Sequence, residues 1–381
     1  MSNTKSINGL MKYLREKHKI QIEGSHHKRQ LKNVGYYHGY KGYRYIKKPN
    51  NRIKFNNFDE ILSIIDFDNK VKALLYPQVM FIETALKSYA LEIIIQDGKT
   101  ENFSQIYSNL MTDYKSYSNQ SDRYKNAYKK RLDTYNRIQN VIATSYASDN
   151  NIVSHYLKND ESVPIWAIFE IITLGEFGNL ISTFELNTRK NISKDLGLNV
   201  AFDSSGKLVE NIIFLVKDLR NAIAHNNVVF DTRFRQRNIN KTLLKALCQD
   251  TKIQGINFTS ITDYIVLVVY ILKKLSKNNK ELLKIINDFI KIVDNLKQNI
   301  PQSILNQIVL TNDLQKLHIL KSFLKKYEIC RKVKNTTSQF EDLCYNKDRI
   351  LCQRFRLGMK RRGKRKEYDT NGFFNGTGRC H

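Results

Sequence analysis

The feature that most limits what this chain can fold into is the spacing of its apolar residues between 206 and 225. Ile212, Ile213, Leu215, Val216, Leu219 and Ile223 recur three and four residues apart. That is the period of one helix face, whereas a half-buried strand would alternate. Asn226 and Asn227 are placed to end this helix. The same period runs through Phe58, Ile61, Ile64, Ile65, Phe67, Val71, Leu74 and Leu75, and resumes after Pro77 at Val79, Ile82, Ala85, Leu86, Tyr89, Ala90 and Ile93. Because proline removes a helical donor, two segments are predicted there, one on each side of Pro77.

Residues 103–147 are polar, rich in Tyr and Lys, and mostly helical in composition. Pro164 stands where a helix would begin, before IWAIFEIITLGEFGNLI. Further helices are predicted at about 238–249, 259–276, 279–299, 302–309 and 312–328. The stretch YIVLVVYILKKL at 264–275 is rich enough in β-branched residues to form a strand, but its lysine flank and helical neighbours favour a buried helix. Only 4 Pro and 16 Gly in 381 residues argue against a sandwich or barrel of many short strands. The expected fold is therefore all-α. It comprises a basic Tyr/Gly-rich segment over 1–56, a helical domain over 57–300, and C-terminal helices with a basic tail over 301–381.

No apolar run approaches the ~18–20 residues that cross a bilayer. The start, MSNTKSINGLMKYLREKHK, lacks the apolar core of a signal peptide. The five scattered cysteines (Cys248, Cys330, Cys344, Cys352 and Cys380) fit a reducing compartment. A cytoplasmic protein without a membrane partner is expected.

The formal net charge of +27 is unevenly spread. Residues 1–54 hold 14 Lys/Arg and two acids, and residues 351–381 hold nine Lys/Arg and two acids. Basic ends flanking a more balanced middle favour a polyanion, because each cation–phosphate contact releases condensed counterions. In the N-terminal patch GYYHGYKGYRY (35–45), Tyr36, Tyr37, Tyr40, Tyr43 and Tyr45 offer ring faces for base stacking, with Lys41 and Arg44 nearby for phosphate. The alternative for these rings is a tyrosine-rich turn packed on the helical body. The glycines of the patch argue against a stable helix through it. In the tail, RFRLGMKRRGKRK places Arg354, Arg356, Lys360, Arg361 and Arg362 in an RNA-binding arm, or in a solvated tail of the same composition.

Several chemistries have no visible site. There is no H-E-x-x-H, no zinc-type Cys/His spacing, no P-loop and no Rossmann glycine fingerprint. Cys344 with Cys352, or Cys380 with His381, are weak candidates for a metal, so no metal or small-molecule cofactor is expected. What remains is KDLRNAIAHNN at 217–227. Asn221 and His225, four apart, share one helix face. Arg220 lies about 140° from His225 on an ideal helix, so it must reach around or the helix must loosen there. A histidine can exchange a proton with a ribose 2′-hydroxyl or a leaving 5′-oxygen. An arginine can neutralise a pentavalent phosphate, and an asparagine can position it. Together they suffice for metal-free RNA cleavage, but acid and base roles call for two histidines. Two copies of the helix across a two-fold axis would supply them, so a homodimer is expected. The competing interpretation has Arg220 paired with a neighbouring acid and His225 capping the helix.

At these residues the chain resembles the Abi-like abortive-infection family of bacteria (the AbiD/AbiF type), within the wider HEPN group of RNases. Arg220, Asn221, Ala222, Ile223, Ala224 and His225 match the HEPN hallmark of an arginine, a polar residue and a histidine. GYYHGYKGYRY, FDNKVKALLYPQVMFIETALK (67–87) and PIWAIFEIITLGEFGNL (164–180) resemble further family stretches in the same order. The resemblance implies a HEPN-type α-helical bundle that dimerises around its motif helices. It also implies a metal-independent endoribonuclease that acts as a toxin in phage defence, with a cognate small structured RNA restraining it. Arg220, Asn221 and His225 become the catalytic set, while Glu83, Glu170 and Glu176 take supporting roles. After about residue 240 no family motif is recognised. Two other functions use the same features: a non-catalytic dimeric RNA-binding protein whose motif helix serves dimerisation only, and a DNA-binding regulator, for which no helix-turn-helix is convincing.

Overall fold

The computed structural model describes residues 5–236 and 238–334. They contain fifteen α-helices and, apart from isolated bridges, no strands. The all-α expectation holds. The described residues up to Lys325 pack as one compact unit.

The N-terminal segment carries α1 (Ile7–His18) and α2 (Gly24–Val34), followed by a π-helical turn over Gly35–Lys41. The expectation that glycines keep 35–45 out of a helix is thus corrected over its first half. The wide i→i+5 turn needs Gly39, because a Cβ there would lie 2.7 Å from Val34 Cγ2 and 2.9 Å from the Val34 carbonyl oxygen.

The central element is α3 (Phe58–Gly98), 41 residues long. Asn57 caps it, accepting from the Glu60 amide at 3.0 Å. Pro77 lies inside α3 and does not split it, which corrects the two predicted segments. Lacking an N–H, Pro77 leaves the Ala73 carbonyl without its helical donor. Buried neighbours on either side, Leu75 and Val79 among them, hold the helix through that defect.

The next elements are α4 (Phe103–Asn109), α5 (Asp122–Ala147), α6 (Asn151–Lys158), α7 (Ile165–Ile171), α8 (Leu174–Ile181) and α9 (Leu186–Asp195). Helix α7 starts directly after Pro164, as its sequence predicts. Helix α10 (Leu208–Ala224) is the amphipathic helix expected at 206–225. It packs against α3, α8 and α9. The backbone of α8 comes so close to α10 that a Cβ on Gly178 would sit 2.9 Å from the Phe214 ring.

Helices α11 (Lys241–Thr251), α12 (Ile261–Lys274), α13 (Asn279–Asn299), α14 (Gln302–Ile308) and α15 (Thr311–Lys334) fall where the periodicity places them. In α12 every residue from Ile261 to Leu272 is buried. Its β-branched run is therefore a core helix, since a helix apolar on all sides must be enclosed on all sides. Helices α12 and α13 pack on α3, so α3 is covered by C-terminal helices as well as by α10.

Candidate active site

Helix α10 ends at the motif. The chain leaves it through a Schellman turn: the Asn226 amide donates to the Ile223 carbonyl at 3.1 Å, and the Asn227 amide to the Ala222 carbonyl at 2.8 Å. Asn226 takes the left-handed conformation (φ 52°) that this turn demands. His225 is the cap residue, at φ −91° and ψ 11°, where the helical conformation ends.

The His225 side chain is exposed, with no hydrogen bond or ion pair to its ring among the described residues. The capping is done by backbone amides. Arg220 is one-third exposed. Its Nε donates to Glu83 Oε2 of α3 at 3.2 Å, and its Nη1 donates to Asn221 Oδ1 at 3.3 Å. Its Nη2 has no partner among the described residues. The Asn221 oxygen faces the arginine, which leaves the amide N–H groups of Asn221 to donate elsewhere.

Glu83 is itself fixed by Lys87, one turn on, at 3.9 Å. Lys87 Nζ also donates to the Ile172 carbonyl at 2.7 Å. Burial holds the Lys87 ammonium below the usual lysine range, against the opposing pull of Glu83, Glu170 and Glu176. The three glutamates named from the sequence therefore gather around one lysine behind Arg220. Glu176 also joins Thr173 in the capping box that starts α8.

A second anchor lies behind His225. Asn226 Oδ1 accepts from Lys72 Nζ at 2.8 Å. Lys72 pairs with Asp68 at 2.8 Å, and both are buried. Asp68 also accepts from Tyr43 Oη (2.7 Å) and from the amides of Val229 (2.9 Å) and Phe230 (2.7 Å). These bonds satisfy a carboxylate that would otherwise be costly to bury. The Tyr43 hydroxyl is pushed up, by burial first and then by the Asp68 charge. Next to this hub, Arg233 donates to the Gly42 (2.8 Å) and Tyr45 (2.6 Å) carbonyls and chelates Asp231. The N-terminal segment is thereby stitched to the residues that follow the motif.

Sequence reasoning passed over Asp68, Lys72, Tyr43 and Asn226 as a group. A signal existed: Asp68 and Lys72 fall on the apolar stripe of α3, one turn apart, where a carboxylate and an ammonium are out of place unless paired.

The expected aromatic patch is only partly available. Tyr37 is 75% exposed, with Lys41 Nζ 4.2 Å from its ring centre and 5.3 Å from that of half-buried Tyr36. Tyr43, buried with its hydroxyl bonded to Asp68, is a correction, and so is Tyr40. Its ring is buried against His18, Tyr36 and Arg44, so it has no open face for a base. Arg44 is half-buried beside it. Arg354, Arg356, Lys360, Arg361 and Arg362 lie outside the described residues, as do Cys344, Cys352, Cys380 and His381. Among the described residues no group of three or more His, Cys, Asp or Glu is placed to hold a metal ion, and no helix is long and apolar enough to cross a membrane.

The profile of the Abi-like protein family matches residues 29–231. The chain belongs to the Abi-like protein family. Neither the curated proteins nor the solved structures contain a match to it. The Abi-like region begins inside α2, takes in all of α3 to α10, and ends at Asp231. It thus spans the Tyr/Gly patch, both anchors and the Arg220–His225 motif. Helices α11 to α15 lie beyond it.

Proposed function

We propose that this chain is a metal-independent HEPN endoribonuclease of abortive infection, acting on RNA as a homodimer. The observation that carries the proposal is the pair Arg220 and His225 at the end of α10. Arg220 is oriented by Glu83 with Nη2 left over, and His225 presents an unengaged ring from a backbone-fixed cap. Family membership supports the same role, because abortive infection acts by shutting down the host cell.

In the proposed reaction the 2′-oxygen attacks the adjacent phosphorus while one His225 imidazole accepts its proton. The 5′-oxygen leaves with a proton from the second histidine, His225 of the partner subunit. The products are a 2′,3′-cyclic phosphate and a free 5′-hydroxyl. Arg220 Nη2 and the Asn221 amide donate to the non-bridging oxygens, whose charge peaks in the transition state. A cognate small structured RNA that restrains the dimer completes the proposal.

The test is incubation of purified protein with end-labelled RNA, with and without EDTA. Cleavage in EDTA that disappears in His225→Ala, while the melting temperature and dimer mass stay unchanged, is the expected result. Full cleavage by His225→Ala would refute the assignment.

The Arg220–Glu83 ion pair also favours the second interpretation, a non-catalytic RNA-binding dimer in which the motif is structural. That case predicts salt-sensitive binding of RNA that stays intact, and a stability loss in Arg220→Ala with no other phenotype.

A further inference from the structure

The far end of α10 borders a polar cleft of about 510 Å³. Four cations line it: Arg123, Lys130, Arg189 and Lys207. Two are compensated, Arg189 by Asp113 at 2.5 Å and Lys130 by Glu210 at 3.7 Å. Arg123 and Lys207 have no acid within ion-pair distance among the described residues. The cleft therefore holds an excess of two positive charges, and its volume falls in the ~300–1,000 Å³ range of small-ligand sites.

Its donors and acceptors are unevenly provided. Arg189 is 4% exposed, and its Nε is buried without a hydrogen-bond partner. A buried donor of that kind carries a desolvation cost that an acceptor would remove. The hydroxyls of Ser182 and Thr183 are spent as donors on the Asn179 and Leu180 carbonyls, so toward the cleft they can only accept. Asn126 adds an amide, and the half-buried ring of Tyr117 adds an aromatic surface.

We infer that this cleft binds a phosphate ester of nucleotide size. The phosphate lies against Arg123, Lys207 and Arg189, the sugar hydroxyls donate to Ser182 and Thr183, and the base rests on Tyr117. The shared chemistry is that of a free nucleotide or of one nucleotide within a bound RNA strand. Lys207 and His225 cap the two ends of α10, 18 residues apart, about 27 Å at ~1.5 Å per residue. The site is thus separate from the Arg220–His225 end, and its existence does not depend on whether the chain cleaves RNA.

The test is calorimetric titration of the full chain at physiological salt with inorganic phosphate, AMP, ADP and a uridine pentanucleotide. The comparison proteins are Arg123→Ala/Lys207→Ala and the control Lys291→Ala, which removes an exposed lysine of α13. AMP or ADP should bind more tightly than phosphate, and the double variant should lose about tenfold or more in affinity while the control is unchanged. ADP that binds with the pentanucleotide still bound elsewhere marks a free-nucleotide site. A pentanucleotide that ADP displaces, with the same loss in the double variant, marks an RNA subsite. No binding of any probe, equal affinity for phosphate and ADP, or an unaffected double variant would each overturn the inference. Both substituted side chains are exposed and unpaired, and circular dichroism of the variant verifies its fold.

Discussion

Asn226 combines two properties that few residues offer together. It tolerates the left-handed conformation that ends α10, and its side-chain oxygen holds Lys72. The two can be separated by substitution. Asn226→Gly keeps the turn and loses the bond to Lys72, while Asn226→Ala loses both. A side chain without Asn's local hydrogen bonding costs roughly 1–2 kcal/mol in that region. Asn226→Ala should therefore be less stable than Asn226→Gly by about 1 kcal/mol in urea denaturation. Equal midpoints would mean that the turn is not under this constraint. Under the proposed function both variants should cleave RNA more slowly, because His225 immediately precedes the residue that has lost its anchor. His225→Ala should be neutral for stability, since the ring holds nothing in place and the cap is made by backbone.

At the scale of elements, the crossing of α8 and α10 is governed by Gly178. Adding one methyl group there meets the Phe214 ring at 2.9–3.1 Å and Ile213 Cγ2 at 3.0 Å. Gly178→Ala should destabilise the fold by about 1–3 kcal/mol through overpacking, despite alanine's better helix propensity. A rise in melting temperature would show that the two helices separate without cost. Helix α10 and the five helices after it were legible in the sequence because each keeps an apolar face at helical spacing. Helix α3 was legible in parts only. Pro77 carries a strong breaking signal, and what overrides it is burial of α3 against α10, α12 and α13, which no local pattern displays. Helices α1 and α2 were missed because their apolar residues are few, with Met11, Leu14 and Leu31 buried among charges. The motif residues were legible as a cluster. The hub behind them was not, because Asp68 and the Val229 amide it accepts from are 161 residues apart.

For the whole molecule, the proposed binding of RNA gives the charge layout a quantitative consequence. On single strands each phosphate neutralised contributes about 0.7 to the slope of log affinity against log salt. Residues 351–381 carry nine Lys/Arg, so deleting them should lower that slope by up to about 6 if all engage phosphate. Filter binding between about 50 and 200 mM salt measures it. Cleavage at saturating RNA should be unchanged in the truncated protein. An unaltered slope would place the electrostatic footprint elsewhere, in the N-terminal segment first of all.

One helix mounts both halves of the proposed site. Lys72 steadies the turn after His225 and Glu83 steadies Arg220, and Pro77 interrupts the hydrogen-bond ladder between them. Bending α3 at that interruption shifts the two mounting points against each other, and with them the arginine against the histidine. The spacing of the proposed catalytic pair is therefore a mechanical property of α3, adjustable by anything that leans on this helix from its exposed side, with no contact to either residue.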